Sequence, residues 1–193
     1  MKSKTSNPLL TLPNLISLLR IGLTPIFILM VFKRKAFLAL LIFLLAGMTD
    51  LLDGFFARLF KKKTKVGALL DPVADKLLMT ASYIVLTIPS LNSLNLIPFW
   101  LTATVIGRDL MIVFGVLVIN RITGYTNFLP SLLGKISTFC QICTIFLVLF
   151  YNYLQISPLY LKWVFYLALI FTFLSGIDYI IRGFNLISSP QRG

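Results

Sequence analysis

The chain has 193 residues, a formal net charge of +12, 58% hydrophobic residues and only 12% charged ones. A water-soluble domain carries roughly 25% charged residues, so this composition excludes an ordinary soluble domain and a disordered chain. The basic residues sit between long apolar runs, which argues against a nucleic-acid surface, and two cysteines with no histidine argue against a disulfide framework or a zinc site.

A helix needs about 20 mostly apolar residues to cross a bilayer core. Taken in chain order, such stretches run over 14–32, 36–57, 68–89, 97–119, 131–152 and 160–181. The sequence therefore predicts an all-α polytopic membrane protein with six transmembrane helices, forming one membrane domain over 1–193. The head, 1–13, starts basic, but Arg20 interrupts the apolar run behind it and no small-residue cleavage site follows. A cleavable signal is not expected. The head reads as a short interfacial piece or as a frayed terminus.

Lysine and arginine placement sets the expected orientation. An even number of spans puts both termini on one side. That side holds Lys2, Lys4, Lys61, Lys62, Lys63, Lys65, Arg121 and Arg192, with Arg58 and Arg182 at its edge. The other holds Lys33, Arg34, Lys35 and Lys162. Both termini are expected in the cytoplasm, with the Lys33–Lys35 run as a local violation.

The acids are few, and all are aspartate: Asp50, Asp53, Asp71, Asp75, Asp109 and Asp178. The first four fall in the second and third predicted helices, around the basic turn Lys61-Lys62-Lys63-Thr64-Lys65. Carboxylates are costly in hydrocarbon, so a cluster of them points to use. Asp50 and Asp53 stand three apart, and Asp71 and Asp75 four apart; either spacing puts both carboxylates on one helix face. Four like charges at close range need cations to stay ionised. Hard divalent ions with oxygen ligands, Mg²⁺ or Mn²⁺, suit such a set, and two of them can clamp a phosphoryl group. Gly54, Ala57 and Gly67 leave room beside the acids for a bulky ligand, and Arg58 lies one turn from Asp53, where it can pair with a phosphate. An ion or proton pathway is the reading from another class.

The pattern Asp50-x2-Asp53-Gly54-x2-Ala57-Arg58-x8-Gly67-x3-Asp71-x3-Asp75 resembles the complete signature of the CDP-alcohol phosphatidyltransferase family. Pro13-Asn14…Arg20…Pro25 resembles that family's first helix. Gly134-Lys135…Thr138…Gln141 and Ser175-Gly176-Ile177-Asp178-Tyr179 resemble its phosphatidylglycerophosphate synthase branch. The resemblance implies a homodimeric enzyme of the cytoplasmic membrane, its site open to the cytoplasm. Such an enzyme transfers a phosphatidyl group from CDP-diacylglycerol to an alcohol and releases CMP. By motif position, Asp50, Asp53, Asp71 and Asp75 would hold two Mg²⁺ or Mn²⁺ ions, and Asp75 would also be the general base. Gly54, Ala57, Arg58 and Gly67 would hold the CDP moiety.

The acceptor is read from cations. Glycerol 3-phosphate is an anion, and Arg108, Lys135 and Arg182 are the candidates to bind it, with Arg20 as a further contributor. Cardiolipin synthases of the same family use phosphatidylglycerol instead. The synthases for glycerol 3-phosphate often carry Arg-Glu in the fourth helix, with another arginine eight residues later. This chain has Arg108-Asp109 and Val116, which looks more like the cardiolipin-synthase branch. The Ser175–Tyr179 stretch favours glycerol 3-phosphate. The plainer reading of Arg108 is a structural pair with Asp109 or Asp178. Cys140 and Cys143 read as packing residues, and Trp100, Trp163, Tyr151, Tyr153 and Tyr160 as an interfacial belt.

Overall fold

A computed structural model of the chain describes residues 12–60, 65–89, 93–123 and 131–188, with side chains described over 17–49, 74–89, 93–121 and 131–185. Within these residues the fold is all helical. Helix α1 covers Leu12–Phe32, α2 Ala36–Phe60, α3 Lys65–Thr87, α4 Phe99–Thr123, α5 Leu132–Leu154 and α6 Leu161–Ser188. Each answers to one predicted apolar stretch. The largest difference is at the end of α6, expected at 181 and found at Ser188. Among the described residues, Phe99–Arg121, Leu132–Leu154 and Leu161–Asn185 are long and apolar enough to cross a membrane. Shorter apolar helical stretches cover Ser17–Phe32 and Ala36–Thr49. Large apolar side chains stand outward along the helices, among them Phe114, Phe173 and Phe184. That pattern fits lipid as the surrounding solvent, where the backbone must satisfy its own hydrogen bonds.

The chain packs as two compact units. One comprises Met1–Leu96 with Leu149–Ile156, and so holds α1, α2, α3 and the last turn of α5. Here α1 packs on both α2 and α3. Ala39 and Ala46 are fully buried, so α2 presents small residues where its neighbour comes close. Phe27 and Phe43 meet at 6.3 Å in a tilted pair. The loop before α4 is tied down by two asparagines. The Asn95 backbone N–H donates to Asn152 Oδ1 (2.7 Å), and Asn152 Nδ2 donates back to the Asn95 carbonyl (3.0 Å). Both are buried, and the exchange satisfies amides that would be costly to leave open.

The other unit comprises Ile97–Val148 with Ser157–Gly193. Here α4 packs on α6 at small α6 residues: Ser175, Gly176 and Gly183. A Cβ at Gly183 would stand 3.1 Å from Ile119, and one at Gly176 would stand 3.3 Å from Met111. Small residues at these positions let two apolar helices approach without a hydrophobic drive between them. Inside the unit, Gln141 donates to Ser137 (3.2 Å) and to Thr172 (3.1 Å), joining α5 to α6 by a buried polar contact. Ser131 caps α5 by accepting the Gly134 N–H at 2.9 Å. Trp100 stacks on Tyr166 at 5.7 Å, and Trp163 meets the same ring at 6.3 Å. The two tryptophans read as belt residues thus gather at one end of α4 and α6.

Candidate active site

The aspartate motif lies on two helices. Asp50, Asp53, Gly54, Ala57 and Arg58 fall in α2, and Gly67, Asp71 and Asp75 in α3. Both segments are helical through the motif, so the i,i+3 and i,i+4 positions fall on one side of each helix. The side chains of Asp50, Asp53, Gly54, Ala57, Arg58, Gly67 and Asp71 lie outside the described residues.

Asp75 is described, and it has a partner. Arg20 of α1 donates from Nη1 to Asp75 Oδ1. The arginine side chain is 1% exposed and the aspartate 42% exposed. A buried cation is thus fixed against a carboxylate that still reaches an open surface. Fixing a guanidinium in this way orients the carboxylate. Arg20, read from the sequence as a further contributor to acceptor binding, pairs with Asp75 in the structure.

The acceptor cations fall in the second unit. Arg108 is 8% exposed and its guanidinium is held on three sides. Nη1 donates to Asp109 (2.9 Å), Nη2 donates to Ser175 Oγ (2.5 Å), and the group stands 5.5 Å from the centre of the Tyr179 ring. Of the two acidic partners considered for Arg108, Asp109 is the one found. Its Nε is buried without a hydrogen-bond partner among the described residues. Arg182 is half-exposed and pairs with Asp178 one turn earlier on α6 (3.0 Å). Asp178 also takes the Ser131 hydroxyl. Lys135 is exposed, beside Gly134 at the start of α5.

Gly134 explains how these groups come together. A Cβ there would stand 3.1 Å from Ser131 Oγ, 3.3 Å from Arg108 Nη2 and 3.3 Å from the Tyr179 ring. The start of α5 can approach Arg108 and α6 because this position has no side chain. The structure thus brings Arg108, Ser131, Gly134, Ser175, Asp178, Tyr179 and Arg182 into one polar network. Ser131 and Ser175 were not predicted as part of it. Ser175 stood in the sequence only as part of a branch-like stretch, and its partner lies 67 residues away.

The donor set fits divalent metals by its chemistry. Carboxylate oxygens are the ligands that Mg²⁺ and Mn²⁺ prefer, and four are carried in pairs on α2 and α3. Asp75, the one of the four whose side chain is described, is paired with Arg20 and remains partly open.

Comparison with known proteins agrees with this arrangement. The family profile for CDP-alcohol phosphatidyltransferase matches residues 10–174. The CDP-diacylglycerol–glycerol-3-phosphate 3-phosphatidyltransferase of Aquifex aeolicus is 33% identical over 184 residues, covering 92% of this chain and 98% of that protein. The enzyme of the same name from Bacillus subtilis is 30% identical, covering 93% of this chain and 98% of its own length. The rat cardiolipin synthase (CMP-forming) is 45% identical over 107 residues, which is 55% of this chain and 34% of that protein. The chain spans about a third of the length of the rat and human cardiolipin synthases it matches. With the motif intact on two helices and the family profile covering most of its length, the chain belongs to the CDP-alcohol phosphatidyltransferase family.

Proposed function

We propose that the protein transfers the phosphatidyl group of CDP-diacylglycerol to glycerol 3-phosphate, giving phosphatidylglycerophosphate and CMP. The observation that carries this reading is the similarity to the Aquifex and Bacillus enzymes over nearly the whole of all three chains. In this reading Asp50, Asp53, Asp71 and Asp75 hold two Mg²⁺ or Mn²⁺ ions. When bound, the ions neutralise the pyrophosphate and stabilise the charge on departing CMP. Gly54, Ala57 and Gly67 leave backbone open to the cytidine and its phosphates, and Arg58 pairs with a phosphate oxygen.

Asp75 accepts the proton of the acceptor hydroxyl. The freed oxygen attacks the phosphatidyl phosphorus, and the bond from that phosphorus to CMP breaks. No serine, cysteine or histidine stands beside the motif, which favours direct attack over a covalent enzyme intermediate. Arg20 is a positioning residue in this scheme, because it acts through Asp75. For the anionic acceptor, Arg108, Lys135 and Arg182 supply the positive charge. Arg108 supports that role through its fixed guanidinium and its spare Nε.

The same reading takes all six helices as membrane spans, both termini as cytoplasmic and the protein as a homodimer of the cytoplasmic membrane. Helix α1, one of the shorter ones at 21 residues, is ~31 Å long, which matches a hydrocarbon core of about 30 Å.

A second acceptor is favoured by a specific observation. Arg108-Asp109 and the 45% identity to the rat enzyme over 107 residues point toward cardiolipin synthase, with phosphatidylglycerol as acceptor. The test is CMP release by purified enzyme with CDP-diacylglycerol and Mg²⁺, in parallel with each acceptor. Release with glycerol 3-phosphate alone supports the first reading. Release with phosphatidylglycerol alone supports the second.

A further inference from the structure

Among the described residues, only Arg34 and Gln155 are non-glycine residues with a left-handed backbone, each at φ 56°. Each closes a helix. The Lys35 N–H reaches back to the Met30 carbonyl (3.0 Å) at the end of α1, and the Ile156 N–H to Tyr151 (3.1 Å) at the end of α5. Glycine is the usual residue at such a closure because a side chain there is strained. Strain at a non-glycine position is kept where the side chain has work to do.

Both residues line the same cavity, at the end of this unit opposite the aspartate motif. The cavity is about 50 Å³. That exceeds the ~30 Å³ share of one water but falls far short of the roughly 300 Å³ or more of a small-molecule pocket. It takes a small polar group and not a whole ligand. Its wall is apolar at Ala36, Ala39 and Leu149, and polar at Arg34, Ser93, Asn152 and Gln155. Asn152 is already engaged with Asn95, and the Gln155 side-chain amide donates to the Asn152 carbonyl (2.5 Å), which leaves Arg34 as the strong anion donor.

The charge here is unbalanced. Lys33, Arg34 and Lys35 are consecutive, and no ion pair joins them to a carboxylate among the described residues. Along α2 the first acid is Asp50, ~21 Å beyond Ala36 at 1.5 Å per residue. An aromatic pair, Phe37 with Tyr153 at 5.2 Å, sits half-exposed at the same end, as rings do at headgroup level.

We propose that this end of the molecule is a binding site for an anionic phospholipid, with the lipid's phosphodiester seated at Arg34. Lys33 and Lys35 add attraction around the seat, and the acyl chains run along the apolar helices.

The test uses phosphatidylmethanol, an anionic phosphodiester lipid with no acceptor hydroxyl to engage the transferase site. Thermal unfolding of the purified full chain is followed in neutral detergent as this lipid, phosphatidylcholine or inorganic phosphate is added. Phosphatidylmethanol should stabilise the protein, and the other two should not. Arg34→Gly relieves the backbone while removing the guanidinium, so the variant should fold yet bind the lipid at least about tenfold more weakly. The double variant Lys33→Gln/Lys35→Gln should weaken binding less. Unchanged lipid stabilisation in Arg34→Gly overturns the proposal. Equal losses in Arg34→Gly and the double lysine variant also overturn it, since they reduce the effect to general basicity. Equal stabilisation by inorganic phosphate overturns the lipid as the occupant.

Discussion

Arg20 and Asp75 form an ion pair that joins α1 to α3 across 55 residues of sequence. The cation is buried and the carboxylate is partly open, so the pair has one anchored end and one available end. Breaking it by removing the anchor should be felt in both stability and turnover. Replacing Arg20 by methionine keeps the packing and removes the charge. The expected cost is about 1–3 kcal/mol, below the full figure for a buried pair because Asp75 is partly solvated. In an Asp75→Asn background the same change should cost less, with a coupling of roughly 0.5–3 kcal/mol. Thermal unfolding of the four proteins in detergent measures this. Equal costs in the two backgrounds would show that the pair is not coupled.

Asp75→Asn should leave the fold intact and lower kcat for CMP release by roughly 10²–10⁴-fold, the range for losing a positioned general base. Binding of CDP-diacylglycerol by the folded variant separates this effect from a lost site. Near-normal turnover would take the base role away from Asp75.

Gly134 tests the acceptor network without touching a charge. A side chain there meets Ser131, Arg108 and Tyr179 at once. Gly134→Val should destabilise by about 1–3 kcal/mol, as overpacked sites do, and raise the apparent KM for the anionic acceptor more than that for CDP-diacylglycerol. Gly115 in α4 provides the control. Nothing lies within 4 Å of a Cβ there, so Gly115→Ala should be neutral or stabilising by up to about 1 kcal/mol. A KM for acceptor that does not move in Gly134→Val would remove Arg108 from acceptor binding.

The proposed metal site makes metal dependence an expected outcome. Exhaustive chelation should abolish CMP release, and added Mg²⁺ or Mn²⁺ should restore it. Asp71→Asn should shift the metal concentration for half-maximal activity upward. Full activity after chelation would mean that the aspartates do other work.

The helices were legible because a bilayer demands long apolar runs, and six of them stand in the sequence with polar breaks between. Their neighbours were harder to see. In lipid both faces of a helix are apolar, so periodicity says little about which face meets another helix. The α6 positions that meet α4, Ser175, Gly176 and Gly183, are marked by small side chains, a weaker signal. The motif was legible because its spacing is local. The partnership of Arg20 with Asp75 was not, because it depends on how α1 packs on α3. Arg20 in the sequence is one cation among several. The pairing of Arg108 with Ser175 was missed for the same reason: a lone serine in an apolar helix gives no sign of a partner 67 residues away. The helix closures at Arg34 and Gln155 were hidden because neither position carries the glycine that usually marks one.

The central claim is phosphatidyl transfer from CDP-diacylglycerol to a small anionic alcohol. The most direct measurement is a competition: purified enzyme, CDP-diacylglycerol and Mg²⁺ with glycerol 3-phosphate and phosphatidylglycerol in one tube, and the lipid product weighed by mass spectrometry. The expected result is the mass of phosphatidylglycerophosphate, with CMP formed in equal amount. Cardiolipin as the main product, or CMP formed with no new lipid, would contradict it.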